Sequence, residues 1–383
     1  MERIQTVNPR RVEWCLGDRG ADILACARET GISESNLGKL LDGDYHPTVN
    51  QLERLAEFFG RSVLFFLDAS DVPEKGMHSL AFRSILNQKP ELTPKIRLLI
   101  ERVERQRDIF VSLRKEIDEE SLPRFVAPKI NPKDVPGAAE KVRKWLRLGD
   151  KNDFQTYRQA VESRGILVFR SNGYLGQWQI AKGSPILGFS LFHSACPVIF
   201  VKKARFESRQ SFTLFHELGH IILHRKSWID DESSLSSAEG HEAESNRFAG
   251  LVLVPDALLD EVPDRVRPHE VSEFDAWLEP YRRQWGVSSE VILRRLLDVG
   301  RLTKRDYNAY RDWCSRLEPA IEDSGGNRQY RYREPRHLFG DPFVRVVLTS
   351  LSNQKITLNR ASTFLDNLKI HDLHQLEQYC ASV

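Results

Sequence analysis

SFTLFHELGHIILHR, residues 211–225, carries two histidines four residues apart, His216 and His220, with Glu217 next to the first. On an α-helix that spacing puts both imidazoles on one face, one turn apart, where they can share a single tetrahedral zinc ion. Glu217 lies beside them, positioned to hold and deprotonate the water that a catalytic zinc activates. Apolar residues flank the motif on either side (Phe212, Leu214 and Phe215, then Ile221, Ile222 and Leu223).

Two histidines leave a catalytic zinc one protein ligand short. The next acidic helix, HEAESNRFAG over residues 241–250, offers Glu242 and Glu244, and Glu242 is the preferred third ligand. Asn246 falls four residues after Glu242 on the same face, so its amide is the expected partner that orients a ligating histidine. His224, His241 and Tyr174 are candidates for stabilising an oxyanion, and the sequence does not rank them.

Upstream of the motif, the runs ILVFR, ILGFSL and PVIFVKK read as strands, after helical stretches at 138–148 and 153–163. PVIFVKK is expected to be the sheet edge that accepts an extended peptide substrate. The segment 225–241, RKSWIDDESSLSSAEGH, reads as a polar loop able to cover the site.

Further from the motif the pattern is helical. Residues 21–68 read as short helices, with Ser33 and Thr48 as N-caps and Gly31, Gly43 and Gly60 as C-caps. From Thr93-Pro94 a long helix runs to about residue 120 with Ile96, Leu99, Val103, Phe110, Leu113 and Ile117 in a near-heptad series. That stripe packs against a domain or forms the seam of a homodimer through residues 94–120. Prolines 123, 128, 132 and 136 mark a linker, and the polar stretch 322–336 sets off a small C-terminal helical unit.

Composition limits the alternatives. With 40% hydrophobic and 29% charged residues the chain reads as folded rather than disordered, and its 383 residues suit two or three domains. A net charge of +2 gives no global field for nucleic acid or membrane. Five scattered cysteines without a C-x-x-C pair point to a reducing, cytoplasmic setting. The first residues lack an apolar signal segment, and no run is apolar enough to span a bilayer.

RQSFTLFHELGHIILH, followed by a Glu-x-x-Ser-Asn-x-Phe-Ala block at 242–249 that runs into LVLVP, resembles the ImmA/IrrE metallopeptidases of bacteria and their mobile elements. That resemblance implies a zincin-like, gluzincin-type endopeptidase with His216, His220 and Glu242 on Zn2+ and Glu217 as the catalytic base. It also implies a regulatory protein as substrate, a transcriptional repressor or toxin-antitoxin partner, in a stress or mobile-element setting. The family usually has Ala where this chain has Ser245.

Residues 21–68 resemble the Xre-type helix-turn-helix of phage repressors. Its second helix would present Ser33, Glu34, Ser35, Asn36 and Lys39 to the major groove of double-stranded DNA. Residues 1–68 nevertheless hold eight basic and eleven acidic side chains, which weakens phosphate binding. The alternative is a DNA-binding regulator or antitoxin whose peptidase fold mainly binds a partner.

The expected architecture is therefore multidomain α+β. An all-α helix-turn-helix domain spans 1–70, a long helix and Pro-containing linker 71–134, a metallopeptidase domain 135–320, and a helical C-terminal domain 336–383.

Overall fold

A computed structural model describes residues 3–381 except 20, 71–84, 86–87, 90–91, 118–122, 151, 173–175, 233–238 and 317–327. Tyr174 and residues 233–238 of the expected covering segment fall outside these residues. The described chain is mostly helical with one small sheet, and it divides into two compact units, residues 1–102 and 103–383. No described helix is long and apolar enough to cross a membrane.

In the first unit the short helices are α1 (Pro9–Arg19), α2 (Ile23–Thr30), α3 (Glu34–Leu41), α4 (Val49–Phe59) and α5 (Val63–Leu67). Their ends follow local chemistry. Ser33 accepts from the Asn36 amide to open α3, Thr48 and Gln51 form a reciprocal box at the start of α4, and Gly31 and Gly60 close α2 and α4 in the left-handed conformation. Leu37, Leu40, Leu52, Leu55 and Phe59 meet in one core. Helix α1, which the sequence reading passed over, contributes Val12 and Cys15 to it.

The long helix runs Pro94–Ile117. Ile96, Leu99, Val103, Phe110 and Leu113 are all buried within the chain itself. Phe110 stacks on Phe343 at 6.4 Å, and Gln106, the one polar entry in the stripe, donates to the Phe364 carbonyl at 3.0 Å. At Gln106 and Phe110 the stripe thus meets residues of the chain's own C-terminal region.

The second unit holds a four-stranded mixed sheet in the order β1-β3-β2-β4. The strands are β1 (Leu167–Arg170), β2 (Ile186–Leu191), β3 (Val198–Val201) and β4 (Trp228–Asp231). β1 runs parallel to β3, while β2 is antiparallel to both β3 and β4. PVIFVKK is thus not an edge. Every residue of β3 is buried and paired on both sides, and β4, read from the sequence as loop, is an edge strand.

Against this sheet packs the motif helix, Glu207–Gly219, which continues as a π turn over His220–His224. The acidic helix, Gly240–Leu253, lies against the motif helix. Its last carbonyls lack partners within the helix, and two arginines supply them: Arg143 donates to Val252 at 2.7 Å and Arg295 to Val254 at 3.1 Å. On the other side of the motif helix, Tyr157 meets Phe215 edge-on at 5.0 Å and donates its hydroxyl to the Trp285 carbonyl at 2.7 Å.

The tail beyond 336 is not detached. Helix Glu334–Ser352 packs on β1, where Phe339 and Phe343 meet Phe169 at 5.5 and 5.8 Å. The junction is polar at its centre. Buried Arg158 pairs with Glu162 at 3.0 Å and donates to the carbonyls of Val168, Arg336 and His337 at 2.5, 3.2 and 3.0 Å. Burial pushes the Glu162 carboxyl up to about 7, with the Arg158 guanidinium opposing the rise. Gly340 has φ +76°, and a Cβ there would lie 2.0 Å from Glu162 Oε1, so glycine is required at this bend. Replacing Arg158 with Ala strands the carboxyl and three carbonyls, and should cost about 3–5 kcal/mol in urea unfolding. A loss below about 1 kcal/mol would show that the arginine does not hold this junction.

Candidate metal centre

The motif helix is so deeply set that from Gln210 to Gly219 only Phe212 escapes full burial. His216 and His220 are 1% and 0% exposed, which removes the ordinary surface reading of two histidines on a helix. Their Nε2 atoms lie 3.1 Å apart. Glu242 reaches in from the acidic helix, its Oε2 3.1 Å from His216 Nε2 and 3.8 Å from His220 Nε2. The fourth member is Asp230 on β4, its Oδ2 2.9 Å from His216 Nε2 and 3.7 Å from His220 Nε2.

The close approach of the helices depends on small residues. A Cβ on Gly219 would lie 3.1 Å from Ser245 Oγ and 3.2 Å from Phe248 Cδ1, so glycine at this position of the motif lets the acidic helix come near enough to deliver Glu242. Gly188 on β2 does the same for Glu217. A Cβ there would lie 2.8 Å from the Phe200 carbonyl and 3.1 Å from Glu217 Oε1. Trp228 braces the centre from β4, stacked on His220 at 4.8 Å and donating its indole N–H to Glu242 Oε1 at 2.5 Å.

The electrostatics are those of a site rich in carboxylate. Burial pulls the His216 pKa down, but Asp230 and Glu242 outweigh it and raise it to about 10. Asp230 stays well below the usual carboxylate range despite its burial, because His216 and His220 face it. Glu217 has the opposite environment. Burial first, then the charge of Asp230, pushes its carboxyl well above the ordinary value, while the Ser190 hydroxyl opposes the shift.

Two imidazoles and two carboxylates, with their ligand atoms all within 4.8 Å of one another, are a fitting donor set for a divalent cation. A tetrahedral zinc with arms of about 2.0–2.1 Å needs donors about 3.3 Å apart. The observed pairs bracket that figure, at 2.9, 3.1, 3.7 and 3.8 Å. Neither Asp230 oxygen is in a well-aligned hydrogen bond, although His216 is so near.

Residues 161–297 match the family model of the IrrE N-terminal-like domain, a peptidase family. All four converging side chains and Glu217 lie inside the matched span, and the IrrE-like match agrees with a peptidase. It does not extend to residues 21–68. No curated protein matches the chain.

His216, Glu217, His220 and Glu242, named from the sequence, thus come together in the IrrE-like region. The atoms that meet the outer nitrogen of His220 are Ser245 Oγ at 3.3 Å and His224 Nδ1 at 3.1 Å. Glu244 is turned away from the cluster and faces His224 and His241. Asp230 was not foreseen. Its signal was the period-two pair Trp228 and Asp230, which points two side chains from one strand at the same place. In the first unit Ser33, Glu34, Ser35 and Lys39 lie exposed along α3 and Asn36 is half-buried, with the Ser33 hydroxyl engaged by the helix cap.

For metal-stripped protein, zinc at about a hundredfold over its dissociation constant should raise unfolding stability by about 2.7 kcal/mol. Asp230→Asn should weaken zinc binding about 10–100-fold in a chelator competition, and His216→Ala should remove it. Unchanged affinity in both variants would place the cation elsewhere.

Proposed function

We propose that this chain is a zinc-dependent endopeptidase of the ImmA/IrrE type, with His216, His220 and Glu242 as metal ligands. The convergence of these donors on one point, beside a buried Glu217, carries the reading. Bound zinc would supply Lewis acidity to the scissile carbonyl and acidify the attacking water.

The chain's own residues do the rest. Glu217 takes the proton from that water and delivers it to the leaving amine; its raised pKa suits it to holding a proton between the two events. Gly188 keeps the space that Glu217 needs, and Trp228 fixes the ring plane of His220 and one oxygen of Glu242. An extended peptide adding to the outer edge of β4, unpaired among the described strands, would run next to Asp230 and Trp228. The substrate in this reading is a flexible segment of a regulatory protein, a repressor or antitoxin, met in the cytoplasm.

The N-terminal helices suit a second reading, a regulator that binds DNA through α3. Charge argues against high affinity. Arg11 and Arg61 are tied to Asp68 and Asp18 at 2.8 and 3.1 Å, and Arg3 and Arg54 donate to the His46 and Thr30 carbonyls. Lys39 is then the one basic side chain on α3. Binding to random-sequence duplex should stay at or weaker than the micromolar range in fluorescence anisotropy at 50 mM salt. Nanomolar binding that falls steeply with salt would favour the regulator.

For the peptidase, zinc-loaded protein incubated with the product of the adjacent gene should yield defined fragments by mass spectrometry. Glu217→Gln should bind zinc normally and cut at least about a hundredfold more slowly. Cleavage that persists at the original rate in Glu217→Gln would remove this residue, and the proposed chemistry, from the reaction.

A further inference from the structure

The donors that this chemistry leaves unused are gathered one turn further along. His224 lies on the π turn, and His241 and Glu244 lie three residues apart on the first turns of the acidic helix. Glu244 Oε2 is 2.9 Å from His224 Nε2 and 3.3 Å from His241 Nδ1, and the two rings are 4.1 Å apart. All three ligand atoms fall within 4.8 Å of one another. Two neutral imidazoles and a carboxylate are a zinc-type donor set. The His241 and Glu244 side chains are 44% and 46% exposed, so a cation reaches them without opening the core.

A second contact ties this cluster to the inner one. His220 Nδ1 and His224 Nδ1 are 3.1 Å apart, so of two neutral rings one must carry the proton between them and the other accept it. When His220 ligates through Nε2, its proton sits on Nδ1. His224 Nδ1 then accepts, and the proton of His224 sits on Nε2, facing Glu244. A cation in the outer cluster requires that same Nε2 to be bare. The proton of His224 must then move to Nδ1, where it meets the proton of His220. The Ser245 hydroxyl, 3.3 Å from His220 Nδ1, is the remaining acceptor for His220.

We propose that His224, His241 and Glu244 form a second divalent-cation site, outside the catalytic one, and that filling either site weakens the other. The outer site stands on its own donors; its coupling rests on the reading that His216, His220 and Glu242 hold zinc. Excess zinc would thereby loosen the inner zinc, through one shared imidazole pair.

The test is calorimetric titration of metal-free, full-length protein with zinc alone, with bound metal counted by atomic absorption. Wild type should take two equivalents. His241→Ala and Glu244→Gln should each lose the weaker one, and His216→Ala should lose the tighter one. Because coupling is reciprocal, the outer site of His216→Ala should bind zinc about tenfold more tightly than the outer site of the filled wild type. One equivalent in wild type, unaffected by His241→Ala and Glu244→Gln, would overturn the outer site and leave the catalytic reading intact. One equivalent that survives His216→Ala but not His241→Ala would overturn the catalytic reading instead. Equal outer affinities in wild type and His216→Ala would overturn the coupling.

Discussion

Three buried side chains, His216, His220 and Asp230, and the half-buried Glu242 are gathered at the junction of the motif helix, β4 and the acidic helix. Burying charge is costly unless opposite charge or a metal compensates it. Without a cation, a proton on His216 offsets part of that cost, since Asp230 and Glu242 raise its pKa. A divalent cation held by His216, His220 and Glu242 would offset the charge of both carboxylates at once. The surrounding architecture reads as the frame that makes such a cluster tolerable.

That frame works by close approach. Gly219 lets the acidic helix lie against the motif helix, Gly188 leaves room for Glu217, and Arg143 and Arg295 hold the far end of the acidic helix by its last carbonyls. Tyr157 and Trp285 brace the opposite side of the motif helix. Helix Glu334–Ser352 then covers β1 through Phe339 and Phe343 beside the buried Arg158–Glu162 pair. A catalytic group displaced by about an ångström loses much of its effect, which explains why so many packing contacts converge on a short stretch of helix.

How much of this was legible follows from what linear spacing encodes. Within one helix, spacing fixes relative direction, so His216, Glu217 and His220 could be placed on one face from their positions alone. Caps are also local, and Ser33, Thr48, Gly31 and Gly60 were readable one turn at a time. Contacts between elements have no such code. Asp230 sits on a four-residue edge strand inside a polar stretch that reads as loop, and β3 reads as well as an edge as it does as a centre. Ser245 stands where the resembling family usually has Ala, and its hydroxyl lies 3.3 Å from His220 Nδ1. The stripe of the long helix is apolar as read, but that Phe110 and Gln106 meet Phe343 and Phe364 is a contact no local pattern announces.

The central claim is that the converging donors hold a zinc ion that organises the site, and anomalous diffraction at the zinc edge from zinc-loaded crystals tests it most directly. The account predicts that the strongest anomalous peak lies about 2.0–2.2 Å from the Nε2 atoms of His216 and His220 and from a Glu242 oxygen. A strongest peak away from these three residues, or none beside them, would contradict it.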